Sequence, residues 1–195
     1  MKYGGINIMK NYQITQWCSH FMKEQIRPGD LCIDATAGNG HDTLLLCRLV
    51  GETGRVLAFD IQPEALERTR SRLTEHGVAG RAELILDSHS NLSRYAAEGS
   101  VSCIVFNLGY LPSGDHTIAT HPKSTIAALE AGLLLLQKNG IISLCIYSGK
   151  DSGFVERDAV LAYLKALDPK RFIVIMSQYY NRPNHPPIPV LIIKI

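Results

Sequence analysis

Short apolar segments alternate with longer amphipathic segments along most of this chain, and this alternation constrains its fold more than any other feature. Apolar segments with the length of strands occupy residues 31–35, 55–60, 82–87, 101–107, 141–147, 172–179 and 190–195. Helical segments are predicted over residues 11–26, 41–50, 63–76, 89–98, 123–138 and 154–167. Strands that are apolar almost throughout and alternate with helices form a parallel sheet covered on both faces. The pattern therefore predicts an α/β fold, doubly wound around a seven-stranded sheet.

The last two strands depart from this alternation, because a proline-rich segment, 183–189, joins them instead of a helix. A parallel crossover needs about a dozen residues or more, so we predict that the last strand is antiparallel. The expected architecture is Rossmann-like in its remaining strands. No shift in composition marks a boundary, and residues 1–195 are predicted to form a single domain with a leading helix at about 11–26.

Composition narrows the class of protein. Hydrophobic residues make up 46% and charged residues 19% of the 195 residues, which is typical of a compact globular domain. The formal charge of +2 is too small to indicate nucleic-acid binding by itself, although it allows a small RNA substrate held locally. No apolar stretch approaches the length of about 18 residues that a membrane span needs, so no membrane association is expected.

Cysteine usage and the N-terminus predict a cytoplasmic location. Five cysteines are present: Cys18, Cys32, Cys47, Cys103 and Cys145. They lie mostly in apolar segments and none has C-x-x-C spacing, so we interpret them as buried thiols in a reducing compartment. Residues 1–10 lack the apolar core of a secretory signal. Because neither the cysteines nor the histidines show zinc-site spacing, no metal is expected.

A glycine-containing segment, DATAGNGHDT at residues 34–43, joins the first predicted strand to the helix after it. Glycines at this point let the backbone pass close to a ligand. A dinucleotide site prefers G-x-G-x-x-G, but Thr43 replaces the third glycine and Asp42 puts a negative charge where the pyrophosphate would lie. The segment therefore favours a cofactor without phosphate, S-adenosylmethionine (SAM). Its predicted cofactor-binding residues are Asp34, Gly38, Asn39, Gly40, Asp42 and Thr43.

Acidic residues end three consecutive predicted strands, at Asp34, Asp60 and Asp87. Parallel strands end at one edge of the sheet, where doubly wound folds bind ligands. We expect Asp34 to bond to the amino group of SAM, Asp60 to its ribose hydroxyls, and Asp87 to its adenine. The predicted cofactor site also includes Gln62, Ser88 and His89. Singly, Asp42 could be a helix-start charge and Asp87 or Ser88 a helix cap, but their joint placement favours the cofactor.

The segment after the fourth predicted strand, Asn107-Leu108-Gly109-Tyr110, is similar to the Asp/Asn-Pro-Pro-Tyr motif of methyltransferases that modify nitrogen atoms. The amide oxygen of Asn107 can accept a bond from an N–H₂ group and align its lone pair, and the Tyr110 ring can stack on a base. Asp115 is predicted to be catalytic and His116 to bind substrate, since either could take the proton that an amine sheds. Both are equally compatible with a solvated turn.

Residues 179–187 combine aromatic, amide and basic side chains between the last two predicted strands. This composition suits base stacking and phosphate contacts with RNA, and the alternative is a rigid proline loop. The predicted substrate-binding residues of this segment are Tyr180, Asn181, Arg182 and Asn184.

In order along the chain, DATAGNGHDT, the acidic strand ends, NLGYLPSGDH and NRPNHPP resemble a small bacterial family once labelled rRNA methylases. The chain looks like the members that methylate the 5-aminomethyl group of the wobble 2-thiouridine of tRNA. The resemblance implies SAM as methyl donor and the anticodon region of tRNA as substrate, and it suggests a homodimer. Matched by position, it assigns the cofactor to Asp34, Gly38, Asn39, Gly40, Asp42, Asp60, Asp87 and His89, and the substrate to Asn107, Tyr110 and Asp115.

Three other functions stay open at this point. A nicotinamide dehydrogenase is disfavoured by Thr43 and Asp42. A methyltransferase acting on rRNA, a small molecule or a protein would share every cofactor feature, and only the substrate loop argues against it. An RNA-binding protein that retains SAM as a structural ligand would have no activity at all.

Overall fold

A computed structural model describes residues 14–108, 122–147 and 150–195. The helices are α1 (Ile14–Gln25), α2 (His41–Val50), α3 (Pro63–Glu75), α4 (Pro122–Leu135) and α5 (Lys150–Lys165). The strands are β1 (Leu31–Asp34), β2 (Arg55–Asp60), β3 (Ala82–Leu86), β4 (Val101–Leu108), β5 (Leu136–Ile146), β6 (Phe172–Met176) and β7 (Ile188–Lys194). Two short 3₁₀ helices, Ala79–Arg81 and His89–Arg94, flank β3.

The strands form one sheet in the order β3-β2-β1-β4-β5-β7-β6. Neighbours among β1 to β5 pair in parallel, whereas β7 runs antiparallel to both β5 and β6. The predicted seven-stranded α/β fold with an antiparallel last strand is confirmed. Strand order reverses between β1 and β4, which makes this the switch point where such sheets bind ligands at the carboxyl ends of their strands.

Apolar side chains pack on both faces of the sheet, as near-continuous apolar strands require. One cluster joins Phe59 and Phe106 of the sheet to Leu129 of α4, and all three are fully buried. A second cluster includes Met22 of α1 and Leu46 of α2, also fully buried. This double cover leaves the carboxyl edge of the central strands as the place where polar side chains collect.

The boundary between α4 and β5 differs from the prediction. Helical periodicity predicts a helix over 123–138, but α4 ends at Leu135 and β5 begins at Leu136. The ammonium group of Lys194 donates to three carbonyl oxygens at this point, the nearest being that of Leu136 at 2.6 Å, and so caps the helix. Leu136 then pairs with Val101 of β4. Both contacts are distant in sequence, so local periodicity could not indicate them.

Two other predicted elements are markedly shorter in the structure. The segment 89–98, predicted to be helical, contains only the 3₁₀ helix His89–Arg94, and the strand predicted over 172–179 ends at Met176. The leading helix predicted over about 11–26 is described from Ile14, since residues 1–13 lie outside the described residues. None of the described helices is long and apolar enough to cross a membrane.

We predict that Leu129→Ala lowers the free energy of unfolding by about 2–5 kcal/mol, because it removes buried methyl groups and leaves a cavity. Leu134→Ala is the matched control, since this leucine lies on the same helix with 48% of its surface exposed. The control should change stability by less than about 0.5 kcal/mol. Urea unfolding followed by circular dichroism measures both variants, and equal effects would contradict the packing of α4.

Candidate functional site

Polar side chains from four neighbouring strands meet at the carboxyl edge of the sheet. Asp34 and Asp60 are the last residues of β1 and β2, and Asp87 directly follows β3. Asn107 lies near the end of β4, two residues beyond Val105, the residue that pairs with Asp34. The structure thus places the predicted cofactor carboxylates and the predicted catalytic amide side by side, across the switch point.

The loop between β1 and α2 is held against β2 by Asp60. One carboxylate oxygen of Asp60 accepts a hydrogen bond from the backbone N–H of Gly38, and the other accepts one from that of Gln62, both at 2.9 Å. Gly38 and Gly40 have φ angles of 54° and 74°, which favour glycine. A Cβ atom at Gly40 would lie 2.8 Å from the Cα of Thr69. Gly40 is therefore required by the close packing of this loop on α3.

Asp34 lies completely buried beneath the same loop. Its carboxylate accepts hydrogen bonds from the Thr43 hydroxyl at 2.6 Å and from the Thr36 backbone N–H at 3.1 Å. Burial, with a smaller contribution from the Asp42 charge, raises the pKa of Asp34 to about 7. Thr43 is also fully buried. The two side chains bond to each other beneath the surface of the edge, and their direct contact with a cofactor stays a prediction.

The Asp87 carboxylate is held in place by three neighbours. One oxygen accepts hydrogen bonds from the Ser88 backbone N–H and the Asn91 side-chain amide, both at 2.7 Å, and the other accepts one from the Tyr95 hydroxyl at 2.8 Å. The bonds from Asn91 and Tyr95 lower the pKa of Asp87. The Ser88 hydroxyl accepts a bond from the Ser90 N–H and caps the 3₁₀ helix. Asp87 is therefore a fixed negative charge at the end of β3.

The His89 ring lies close to the switch point. It packs edge-on against Phe106 of β4, with ring centroids 6.1 Å apart, and donates one N–H to the carbonyl oxygen of Ala35 after β1. Its Nε2 atom is buried and has no hydrogen-bond partner among the described residues. Burial lowers the pKa of His89, so the neutral ring presents Nε2 as an unused acceptor.

Asn107 is held by two hydrogen bonds to the loop and helix that follow β1. Its backbone N–H donates to the Thr36 hydroxyl oxygen at 2.8 Å. Its side-chain Nδ2 donates to the Asp42 carboxylate, also at 2.8 Å. Burial raises the pKa of Asp42, with the Asn107 bond acting in the opposite direction. The predicted cofactor residue Asp42 is thus a direct partner of the predicted catalytic residue Asn107.

The predicted RNA-contacting segment lies at the same edge of the sheet. β5 and β6 both run antiparallel to β7, so β6 ends at the edge where β5 ends. Residues 177–187 begin there, and Tyr180 is 96% exposed. The other predicted substrate-binding residues, Asn181, Arg182 and Asn184, are exposed as well. His185 packs edge-on against Phe154 of α5, with ring centroids 5.2 Å apart, which anchors the segment.

Some predicted residues lie outside the described ranges, and some functional neighbours escape sequence reasoning. Tyr110, Asp115 and His116 are the predicted residues outside the described ranges. The neighbours that sequence reasoning missed are Thr36, Arg72, Asn91 and Tyr95. Arg72 is included because its Nε donates a hydrogen bond to the Asn39 carbonyl oxygen at 2.7 Å. Only the regular spacing of Asp87, Asn91 and Tyr95 could have been noticed in the sequence. Within the described ranges, no three His, Cys, Asp or Glu side chains are grouped as metal ligands.

Comparison with known families matches residues 56–193 to the model described as "Putative rRNA methylase". The chain belongs to this rRNA methylase family. The match extends from β2 to β7 and so includes Asp60, Asp87 and Asn107. The resemblance that the sequence motifs indicate is confirmed.

Solved structures of similar proteins agree with this membership. A Clostridium thermocellum protein of the same description is 44% identical with a TM-score of 0.93, and the alignment covers 96% of this chain and 100% of that one. A Streptococcus mutans protein described as a "putative methyltransferase", in complex with SAH, is 35% identical with a TM-score of 0.86, and the alignment covers 95% and 99%.

A chloroplastic protein of Arabidopsis thaliana, tRNA (mnm(5)s(2)U34)-methyltransferase, is 37% identical over 179 residues. The match covers 86% of this chain but 65% of the plant protein, so the chain spans less than two thirds of that relative's length. Both this relative and the Streptococcus mutans protein are named as methyltransferases, and the second of them is bound to SAH. These findings confirm the predicted class, a SAM-dependent methyltransferase.

We predict that Asp34→Asn stabilises the protein at neutral and alkaline pH. Because the pKa of Asp34 is raised to about 7, the folded chain keeps a proton that the unfolded chain has already lost. Stability due to this group is full below about pH 4 and is lost as the pH rises through about 7. The variant should therefore gain on the order of 1–3 kcal/mol at about pH 8 and little at about pH 4.

Urea unfolding of wild type and variant across this pH range tests the prediction. Glu52→Gln, an exposed carboxylate after α2, is the control and should leave the pH dependence unchanged. Wild-type and Asp34→Asn profiles that run parallel would show that Asp34 does not titrate as described.

Proposed function

We propose that this protein is a SAM-dependent N-methyltransferase that converts the 5-aminomethyl group of the tRNA wobble uridine to 5-methylaminomethyl. The observation that supports this most is the Asn107 amide, fixed at the end of β4 beside the carboxylate edge. An amide at this place can hold an N–H₂ nucleophile. The name of the Arabidopsis relative supports tRNA as the substrate.

The described residues fit SAM better than a dinucleotide. Gly38 has the positive φ angle that favours glycine in the loop after β1, and the buried Nε2 of His89 is an acceptor without a partner among the described residues. Asp60 has lone pairs left for ribose hydroxyls, since each of its oxygens accepts a single hydrogen bond among the described residues. With Asp42 and Asp87, the edge is rich in negative charge, which disfavours a pyrophosphate. When bound, SAM supplies an electrophilic methyl group carried on a sulfonium.

The contribution of the chain to the reaction is mainly orientation. The Asn107 oxygen accepts an N–H of the neutral primary amine and aims the nitrogen lone pair along the line of transfer. Tyr110, three residues after Asn107 in the sequence, is the candidate for stacking on the uridine ring. Asp115 and His116 are the candidates for accepting the proton that the methylated amine releases.

The exposed segment after β6 supports an RNA substrate. Tyr180, almost fully exposed, offers a ring for base stacking, and Arg182 offers a cation for a phosphate. A net charge of +2 provides little general attraction, so recognition would depend on such local contacts. We place the enzyme in the cytoplasm, since all five cysteines are free and buried, and we propose a homodimer on the family resemblance alone.

Nucleoside mass spectrometry of tRNA tests the substrate. In cells that lack the gene, we expect 5-aminomethyl nucleosides to accumulate and 5-methylaminomethyl nucleosides to be lost, because the first is the proposed substrate and the second the proposed product. Re-expression of the wild-type gene should restore the pattern. Unchanged tRNA nucleosides together with a lost rRNA methyl mark would favour the rRNA alternative instead.

A pair of alanine variants tests the division of roles along the edge. We predict that Asn107→Ala lowers kcat on tRNA by about 100-fold or more while SAM affinity stays unchanged, because only orientation of the amine is lost. Asp60→Ala should instead weaken SAM binding, since the ribose acceptor and the loop contact disappear together. Single-turnover assays and calorimetry separate these effects. A wild-type rate for Asn107→Ala would refute the assignment of this loop.

A further inference from the structure

We propose that Asp42 is a positioning residue that turns the Asn107 amide so that its oxygen faces the reactive nitrogen. The proposal deepens the function proposed above and rests on it for the identity of the nucleophile. It assigns Asp42 a role different from the direct cofactor contact that the sequence predicts.

The chemistry of the two side chains fixes which end of the amide faces Asp42. An ionised carboxylate accepts hydrogen bonds and donates none, whereas a side-chain amide donates only through its nitrogen. The 2.8 Å contact between Asn107 Nδ2 and Asp42 Oδ2 therefore requires the N–H₂ group to face Asp42. The amide oxygen of Asn107 must then point away from the carboxylate, where it is available as an acceptor.

Both partners of this bond are held by independent contacts. The Asn107 backbone donates to the Thr36 hydroxyl at 2.8 Å, which sets the base of its side chain. Asp42 lies in the first turn of α2, and the next residue, Thr43, bonds to the buried Asp34 at 2.6 Å. The bond therefore links two anchored backbones, and the amide has little freedom to flip.

The bond between Asp42 and Asn107 is partly buried, which limits its competition with water. The two side chains line a small cavity whose other lining residues are Met22, Val105, Phe106, Cys18, Ser143 and Cys145. Hydrogen bonds to charged groups in such surroundings are stronger than those exposed to solvent. An isolated asparagine would exchange its two orientations, but this one is biased strongly toward one of them.

The orientation determines which nucleophile the site accepts. During transfer the amine nitrogen forms a bond to the methyl carbon, the carbon–sulfur bond breaks with its electron pair on sulfur, and the nitrogen becomes cationic before it loses a proton to a base. An amide oxygen attracts the N–H groups of this nitrogen throughout. A flipped amide would present its own N–H₂ group and repel them. Asp42 thus selects for N–H nucleophiles without touching the substrate.

A double-mutant cycle distinguishes this role from a cofactor contact. We expect Asp42→Ala to lower kcat on tRNA by about 10- to 100-fold, with the Kd for SAM and the KM for tRNA within about two-fold of wild type. The same substitution made in the Asn107→Ala background should have no further effect on kcat, because Asp42 acts through Asn107. Asp42→Asn keeps an acceptor oxygen and should recover part of the lost rate. Glu52→Ala, just beyond the other end of α2, should have the wild-type kcat.

Several outcomes would overturn the proposal. A wild-type kcat for Asp42→Ala, or losses that multiply in the double variant, would show that Asp42 does not act through Asn107. A loss of SAM affinity as large as the loss of kcat would make Asp42 a cofactor ligand. If Asp42→Ala does not fold, as judged by its melting temperature, Asp42→Asn replaces it. Its effect on kcat is then compared in the wild-type and the Asn107→Ala backgrounds.

A spectroscopic measurement keeps the test independent of the substrate. In ¹H–¹⁵N spectra of the SAM-free protein, one Asn107 Nδ2 proton should be shifted downfield and exchange slowly, and Asp42→Ala should abolish both properties. An unchanged signal in the variant would overturn the orientation itself. If the signal changes as expected but wild type methylates no tRNA, the proposed substrate is wrong and the positioning contact stands.

Discussion

The site depends on a network of four hydrogen bonds around the switch point of the sheet. Buried Asp34 accepts bonds from Thr36 and Thr43, Thr36 accepts one from the Asn107 backbone, and Asn107 donates to Asp42, the neighbour of Thr43. The network connects the end of β1, the first turn of α2 and the end of β4. Without it, the carboxylates of the edge and the Asn107 amide would be positioned independently.

This arrangement imposes a cost on the fold. A fully buried carboxyl group whose pKa is raised to about 7 opposes folding once it ionises, and the charge of Asp42 adds to the effect. The protein keeps both carboxyl groups in spite of this cost. Functional edges commonly concentrate such unfavourable groups, because orientation there matters more than stability. Asp87 is a contrast, since its hydrogen-bond partners lower its pKa.

Sequence reasoning located the edge but not its internal connections. The positions of Asp34, Asp60 and Asp87 follow from strand ends, and parallel strands necessarily bring their carboxyl ends together. The partnership of Asp42 with Asn107 joins residues 65 positions apart, and no local pattern indicates it. For the same reason the cap that Lys194 places on α4 escaped prediction. Local signals identify elements and their ends, whereas pairings between distant side chains require the folded geometry.

The proposed function requires above all that the carboxylate edge binds the adenosyl group that SAM and its product SAH share. Calorimetric titration of the purified wild-type protein with SAH, and in parallel with NADH, tests it most directly. We expect one saturable site per chain for SAH and no binding of NADH. Binding of NADH in the absence of any binding of SAH would contradict it.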